Sequence, residues 1–155
     1  MNEVKFRNTE LADLPHVVEI ERASFEDPYP PEYLDMLMRF SQGIFIIAER
    51  DGIAIGYAVA STRERTGHVL SIAVNPKERG RGVGKGLMER MIEELKAREA
   101  SKIVLESKKG NPAIKFYLSL GFRQVGTMPA YYDDGSEAIL MELDLTKTRL
   151  DSTYG

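Results

Sequence analysis

The segment from Glu78 to Gly86, which reads ERGRGVGKG, restricts the fold more than any other part of the chain. It holds four glycines in nine positions, although glycine inside a helix costs about 1 kcal/mol relative to alanine. The apolar strand HVLSIAV precedes it. A helix follows, with apolar residues at helical spacing: Val83, Leu87, Met88, Met91, Ile92 and Leu95. Because the N–H groups at a helix start attract anions, this strand, loop and helix predict a phosphate-binding unit.

Composition excludes several classes of function. The 155 residues fit one domain, and the absence of cysteine excludes disulfides, thiolate metal sites and a cysteine nucleophile. The two histidines are too few for a histidine-rich metal site, so we predict no metal. A net charge of −3 disfavours a general nucleic-acid binder. The amino terminus has no signal-peptide pattern and the longest apolar run has eight residues, so we predict a cytoplasmic protein that does not enter the membrane.

Hydrophobic periodicity and turn residues predict the element order β-α-α-β-β-β-α-β-α-β-β. Asp51-Gly52 suits a tight hairpin turn between the strands IFIIAE and IAIGYAVA. The prolines of FEDPYPPEY separate the first two helices, and MPAYYDDGS connects the last two strands. This order is typical of an α/β or α+β fold with a mixed sheet. We assign the domain to residues 1–145 and a polar C-terminal tail to residues 146–155.

Two common phosphate-binding motifs do not fit the glycine segment. A Walker A loop requires G-x-x-x-x-G-K-[ST], but Arg79 occupies the position of the first glycine and Gly86 that of the hydroxyl residue. A dinucleotide-binding fingerprint requires G-x-G-x-x-G after the first strand of the fold. Here the glycines fall at every second position, and at least three strands come earlier. Both nucleotide-binding interpretations are therefore disfavoured.

A third motif, R-x-x-G-x-G, is met by Arg79, Gly82 and Gly84 between a strand and a long helix. It resembles the acetyl-CoA loop of the GNAT acetyltransferase superfamily; taken alone, it also fits a glycine-rich turn with solvated basic residues. The resemblance extends over essentially the whole chain, through ERASFEDPYPPEY, FYLSLGF and AYYDDGSEAILMELDL. These segments are similar to RimI-like and NatA-like protein N-terminal acetyltransferases. The resemblance implies a single GNAT domain with a mixed, mostly antiparallel sheet flanked by helices on both faces.

For the cofactor, the resemblance implies acetyl-CoA. The strand before the loop would bind the pantetheine arm through its backbone, and the loop would cradle the pyrophosphate. The implied cofactor-binding residues are Ile72, Ala73, Val74, Arg79, Gly80, Arg81, Gly82, Val83, Gly84, Lys85, Asn111 and Tyr117. One departure concerns Asn111, because the chain is one residue shorter than its relatives between Asn111 and Ala113. Either Asn111 keeps the pantetheine contact through a tightened turn, or Gly110 takes its place.

For catalysis, the resemblance implies Glu106 as the base and Tyr117 as the general acid that protonates the leaving thiolate. The backbone N–H of Val74 would stabilise the oxyanion, and Asp27 could share the work of the base. An α-amino group with a pKa of about 7.7–8.0 is roughly 10% neutral at pH 7, whereas a lysine amine is below about 0.1% neutral. A glutamate acting through water therefore suffices for an N-terminal amine.

The acceptor would lie between the first interhelix loop and the last hairpin. The residues implied to line it are Phe25, Asp27, Tyr29, Tyr131 and Tyr132. Exposed tyrosines are also common on ordinary loops, so a purely structural role for them stays open. We assign solvated or structural roles to Arg63, Arg65, His68, Lys108 and Lys109.

We predict an acetyl-CoA-dependent N-acetyltransferase that modifies the α-amino group of a protein or peptide by direct attack in a ternary complex. The acceptor could be a ribosomal protein or a nascent chain. Two alternatives stay open: the same chemistry on a small amine, such as a polyamine, an amino acid or a drug, and a non-catalytic CoA-binding sensor.

Overall fold

A computed structural model describes residues 3–40 and 43–146 of the chain, so the predicted tail beyond residue 146 lies outside the described residues. The strands in these ranges are β1 (Lys5–Asn8), β2 (Gly43–Arg50), β3 (Ile53–Arg63), β4 (Thr66–Val74), β5 (Lys102–Lys108), β6 (Arg123–Met128) and β7 (Ala138–Asp144). The helices are α1 (Leu14–Ser24), α2 (Pro31–Arg39), α3 (Val83–Ala97) and α4 (Ala113–Ser119). The predicted order of strands and helices is confirmed, with two short 3-10 helices added at Leu11–Asp13 and Pro76–Glu78.

The seven strands form one sheet in the order β1-β2-β3-β4-β5-β7-β6. Neighbouring strands are antiparallel except β4 and β5, which are parallel. The turn between β2 and β3 consists of Asp51 and Gly52, with φ angles of 55° and 80°. Two positive φ angles in a two-residue loop match the right-handed twist of a hairpin. Since five neighbouring strand pairs are antiparallel and one is parallel, the predicted mixed, mostly antiparallel sheet is confirmed.

Helices cover both faces of the sheet and bury two apolar clusters, as predicted. On one face, α3 contributes the predicted stripe, and Leu87, Met88, Met91 and Leu95 are fully buried. On the other face, α1 and α2 bury a second cluster that includes Val17, Ile20, Leu34 and Leu37. Each large apolar side chain that is fully buried contributes about 1.5–3 kcal/mol. These two clusters fix the sheet between the helices.

The parallel strands β4 and β5 separate along their length. Thr66–His68 pairs with Lys102–Val104, and no further β4–β5 pair occurs within the described residues. Beyond that point β4 stays paired with β3, and β5 stays paired with β7. The carboxyl-terminal halves of β4 and β5 therefore border a cleft in the middle of the sheet.

A β-bulge at Leu70 changes which way the β4 side chains face. The β3–β4 register passes from Ala60–Val69 to Val59–Ser71, which leaves Leu70 as the extra residue. Val69 and Ile72 both pack in the α3 cluster, although they are three positions apart. As a result, Leu70 and Ser71 both face the α1 side of the sheet, where Ser71 forms a hydrogen bond with α1.

Candidate active site

The glycine loop (residues 79–82) leaves open space in front of α3. Gly80 and Gly82 have φ angles of 78° and 83°, and a β-carbon added to either would meet nothing within 4 Å. Gly82 is the N-cap of α3 and supplies no side-chain cap. The first intrahelical bond of α3 runs from the Gly86 N–H to the Gly82 carbonyl, at 3.0 Å. The N–H groups of Val83 to Lys85 therefore face this space without helical acceptors, at the positive end of the helix dipole.

Side chains hold the glycine loop in place. The Arg79 guanidinium donates to the Val74 carbonyl at 2.9 Å and to Ser24 Oγ at 3.0 Å. It therefore ties the loop to the end of β4 and to the last residue of α1. Arg81 is 62% exposed and lies 3.7 Å from a carboxylate oxygen of Glu78.

The end of β4 supplies an unpaired backbone edge to the cleft. Ile72, Ala73 and Val74 pair with β3 on one side and lie beyond the last β4–β5 pair on the other. The side chains of Ile72 and Val74 pack against the α3 cluster, and Ala73 packs in the α1 cluster. Beyond the last β4–β5 pair the outward backbone groups of this strand are available to a ligand, apart from the Val74 carbonyl, which accepts from Arg79. We call these residues, the glycine loop and the first turn of α3 the cofactor wall.

On the α1 side of the cleft, Glu106 is the centre of a hydrogen-bonded cluster. His68 Nε2 lies 2.9 Å from Glu106 Oε1, and the Tyr131 hydroxyl donates to the same oxygen at 3.3 Å. The hydrogen bond and charge of His68, aided by Tyr131, lower the pKa of Glu106 below its usual value despite burial. In return, the bond to Glu106 raises the pKa of His68 above its usual value. The sequence interpretation missed this role of His68, which it left as solvated or structural.

Aromatic side chains surround this cluster. The Tyr29 hydroxyl lies 3.4 Å from the Leu70 carbonyl at the bulge, and its ring lies 4.7 Å from that of Tyr33. The Tyr131 and Tyr132 rings are 4.9 Å apart. Burial, followed by Tyr33 and Glu21 and then by Tyr131 and Glu106, raises the pKa of Tyr29 to about 12. The structure thus brings the three predicted tyrosines to one site.

Two other predicted acceptor residues lie at the margin of that site. Phe25 follows the last residue of α1 and is 37% exposed. Asp27 is exposed, and within the described part of the chain it has no hydrogen bond or ion pair. The structure does not bring Asp27 into contact with Glu106. We call Tyr29, His68, Glu106, Tyr131 and Tyr132 the acceptor wall.

Tyr117 lies in α4, on the opposite face of the sheet from the acceptor wall. Its ring packs against those of Phe116 and Phe122, at centroid distances of 5.4 and 5.8 Å. Burial, followed by Tyr132, raises the pKa of Tyr117 to about 12. Among the described residues its hydroxyl has no hydrogen-bond partner. The side chain is therefore a core aromatic group whose hydroxyl is protonated at neutral pH and available to donate.

Asn111 caps α4. Its Oδ1 accepts a hydrogen bond from the Ala113 N–H at 2.8 Å, directly after Gly110, which has a φ of 87°. The shortened connection is thus a tight turn in which the side-chain oxygen satisfies the helix start. The predicted contact of Asn111 with pantetheine stays a prediction.

Comparison with known proteins identifies the fold and the family. The sequence profile of the acetyltransferase (GNAT) family matches residues 14–122. The chain belongs to the GNAT acetyltransferase family. An uncharacterised N-acetyltransferase of Methanocaldococcus jannaschii is 37% identical over 131 residues, which are 83% of this chain and 84% of that protein.

Alignments with two further proteins extend over nearly the whole of this chain. An N-alpha-acetyltransferase of Sulfurisphaera tokodaii is 31% identical over 157 aligned positions, with 92% of this chain and 94% of that protein covered. The crystal structure of the ribosomal-protein-S18-alanine N-acetyltransferase from Escherichia coli matches with a TM-score of 0.86 at 26% identity. That match covers 94% of this chain and 96% of the crystallised chain. The single GNAT domain that the sequence predicted is confirmed.

GNAT enzymes use acetyl-CoA, and this chain is accordingly an acetyl-CoA-dependent acyltransferase. The residues present fit the cofactor, because the uncapped start of α3 and the open space over Gly80 and Gly82 suit a pyrophosphate group. The described residues contain no group of three or more acidic or histidine side chains arranged to hold a metal ion. No helix in the described ranges is long and apolar enough to span a membrane.

Proposed function

We propose that this GNAT enzyme acetylates the N-terminal α-amino group of a protein or peptide, with a ribosomal protein or a nascent chain as the acceptor. The observation that carries the proposal is the His68–Glu106 pair, joined at 2.9 Å within an aromatic site on the α1 side of the cleft. Two relatives support it by name, the N-alpha-acetyltransferase and the ribosomal-protein-S18-alanine N-acetyltransferase. The cytoplasmic location that the sequence indicates stays a prediction.

The cofactor wall would hold acetyl-CoA mainly through its backbone. The edge of Ile72 to Val74 would bind the pantetheine arm, and the N–H groups at the start of α3 would bind the pyrophosphate. Arg81 in the glycine loop and the exposed Lys85 in the first turn of α3 would add positive charge to this site. When bound, acetyl-CoA supplies a thioester carbonyl that the acceptor amine attacks. The Val74 N–H would stabilise the oxyanion.

The acceptor wall would remove a proton from the amine. A general base works best when its pKa is near the working pH. The hydrogen bond between the pair lowers the pKa of Glu106 and raises that of His68. His68 is therefore better matched than Glu106 to an α-amino group, whose pKa is about 7.7–8.0. In this mechanism the Nε2–H of neutral His68 donates to Glu106, and Nδ1 would take the proton from the amine. Glu106 orients the imidazole and increases its basicity.

Tyr117 would supply the proton for the leaving thiolate. Its pKa of about 12 keeps the hydroxyl protonated throughout the neutral range. The proposed proton donor and proton acceptor thus belong to opposite faces of the sheet. The bound thioester would lie between them, where β4 and β5 separate.

A peptide panel tests this function. Release of CoA from acetyl-CoA is measured with short peptides that differ at residue one, and mass spectrometry locates the acetyl group. The matched control is each peptide with its α-amine already acetylated and one internal lysine left free. We expect acetylation of the α-amine and none of the control peptide.

The same assay includes spermidine and free amino acids as competing acceptors. If these outcompete every peptide, the small-amine alternative is correct and the N-terminal proposal is wrong. Binding of acetyl-CoA with no turnover on any acceptor would instead support the sensor alternative.

A further inference from the structure

Glu21 is a buried acidic residue that the proposed chemistry does not use. It lies in the last turn of α1, faces the sheet and is only 2% exposed. Its Oε1 accepts hydrogen bonds from the hydroxyl of Tyr57 on β3 and, at 3.3 Å, from the hydroxyl of Ser71 on β4. Its Oε2 accepts one from the backbone N–H of Tyr29, at 2.9 Å. One carboxyl group thus connects α1, β3, β4 and the loop between α1 and α2.

Among the described residues the other buried acidic residue is Asp13, and its environment is different. Asp13 is 5% exposed and forms a two-pronged ion pair with Arg7, with both distances at 2.8 Å. Glu21 has no such ion pair in the described part of the chain; its partners are two hydroxyls and one amide. A buried acid costs free energy unless its environment compensates, and a merely apolar residue would pack at this position without that cost. The arrangement therefore favours a role that depends on the hydrogen bonds.

The hydrogen bond from the Tyr29 N–H to Glu21 indicates what this role is: it holds the loop between α1 and α2. The loop from Phe25 to Pro30 contains two prolines, which cannot donate backbone hydrogen bonds. Glu21 fixes the Tyr29 backbone, and the Leu70 carbonyl at the bulge accepts from the Tyr29 hydroxyl at 3.4 Å. Tyr29 is thereby held at both ends, with its ring beside the acceptor wall.

We propose that Glu21 is a positioning residue that holds Tyr29 and its loop at the β4 bulge so that the acceptor meets a preformed site. The proposal rests on the proposed function, because Tyr29 is there a residue of the acceptor wall. Glu21 acts through Tyr29 and touches neither the amine nor acetyl-CoA. Loss of Glu21 should therefore weaken use of the peptide without weakening binding of acetyl-CoA.

The test compares Glu21→Leu with Glu21→Gln. Leucine removes every acceptor atom, so the KM for the peptide should rise about 10- to 100-fold, while the dissociation constant of acetyl-CoA stays within about twofold of wild type. The glutamine oxygen still accepts from the Tyr29 N–H, and its amide group donates to the two hydroxyls. Glutamine should therefore restore the KM to within about threefold of wild type. If glutamine is as damaging as leucine, hydrogen-bond positioning is wrong.

Asp13→Asn is the matched control, because it alters the other buried acid at a distance from the cleft. It should lower the melting temperature without raising the peptide KM. If Glu21→Leu likewise lowers only the melting temperature, Glu21 is purely structural and the proposal is overturned. Should Glu21→Leu fail to fold, Glu21→Asp carries the test, since its shorter side chain keeps the carboxyl group but cannot span from α1 to Tyr29.

Amide hydrogen exchange of residues 25–30 separates this proposal from the proposed function, because it needs no substrate. We expect exchange at Tyr29 to accelerate about tenfold or more in Glu21→Leu or Glu21→Asp, and to stay at the wild-type rate in Asp13→Asn. Unchanged protection at Tyr29 would overturn the positioning role even if peptides are acetylated. If exchange at Tyr29 is faster in these variants but the wild-type enzyme acetylates no peptide, the positioning role of Glu21 is supported and the N-terminal acceptor is refuted.

Discussion

The two walls of the cleft are built in different ways. The cofactor wall consists of backbone: an uncapped helix start, two glycines with positive φ angles and a strand edge beyond the last β4–β5 pair. The acceptor wall consists of side chains from four separate parts of the chain. His68 and Glu106 are 38 residues apart in sequence, and Tyr131 is 25 residues from Glu106.

This difference has a functional consequence. A backbone wall suits a ligand that is always the same. Substitutions alter it where a new side chain fills the open space or where Arg79, which ties the loop to β4 and α1, is lost. A wall of side chains is easily changed by substitution, so it can adapt to different acceptors. We therefore expect the two walls to fail separately, with turnover lost on one side and acetyl-CoA affinity lost on the other.

The largest effect should come from removing the proposed base of the acceptor wall. Loss of one general acid–base contribution typically costs a factor of about 10²–10⁴. His68→Ala should show such a loss in kcat at pH 7, measured with saturating peptide, and should recover as rising pH deprotonates the amine. Affinity for acetyl-CoA, measured by calorimetry, should not change.

The companion variant Glu106→Gln separates the two members of the pair. Because Glu106 raises the pKa of His68, its removal should move the acidic limb of the kcat profile to lower pH and reduce kcat less than His68→Ala does. If His68→Ala keeps the wild-type rate while Glu106→Gln loses the activity, Glu106 itself is the base.

The two walls also differ in how well the sequence predicts them. The glycine motif and its helix are contiguous, so the cofactor wall followed from local spacing. The tyrosines of the acceptor wall, together with Glu106, were implied by resemblance. His68 was missed because its contact with Glu106 depends on the parallel pairing of His68 with Val104. Nothing in the local sequence states the register between two strands that a long helix separates.

Glu21 was missed for a related reason. Helical spacing places it beside Ile20, but whether the sheet meets it with apolar groups or hydroxyls is decided by β3 and β4. The bulge at Leu70 places Leu70 and Ser71 in succession toward the α1 face. A strict alternation along HVLSIAV would have placed them on opposite faces. An extra residue in a strand changes the facing of all residues after it, and composition does not reveal it.

The second-largest effect should come from filling the cofactor wall. Gly82→Asp places a carboxylate in the open space before α3, where the pyrophosphate is proposed to bind. Like charges about 4 Å apart repel by roughly 1–4 kcal/mol near a protein surface, so we expect the acetyl-CoA dissociation constant to rise about 10- to 10³-fold. Gly52→Asp is the matched control, because Gly52 has a φ of 80° but lies in the β2–β3 turn. Equal affinity in wild type and Gly82→Asp would contradict the phosphate assignment.

A smaller effect is expected for Tyr117→Phe, which removes the proposed proton donor to the leaving thiolate. The variant removes a hydroxyl that has no hydrogen-bond partner among the described residues, so the core packing should be kept. We expect kcat to fall about tenfold, at the low end for a general acid because a thiolate is a fair leaving group. Phe116→Leu, in the same helix, controls for packing. Full activity in Tyr117→Phe would show that the residue serves only the core.

The smallest effect should appear in the pH dependence of stability, which probes the acceptor wall without any substrate. Glu106 has its pKa lowered from 4.5, so its contribution exists above pH 4.5 and disappears as pH falls through its folded value. His68 has its pKa raised from 6.5, so its contribution is complete below pH 6.5 and disappears as pH rises through its folded value. The pair therefore stabilises the fold most between about pH 4.5 and 6.5.

Because the His68 side chain is 38% exposed, solvent screening limits the pair to about 0.2–1 kcal/mol. A protein of this size changes its melting temperature by about 2–4 °C for each kcal/mol. The difference in melting temperature between wild type and His68→Ala should thus be about 0.4–4 °C larger at pH 5.5 than at pH 8.5. A double-mutant cycle with Glu106→Gln assigns this difference to the pair. If the interaction energy between His68 and Glu106 is the same at both pH values, the imidazole does not titrate in this range. His68 would then not be the base.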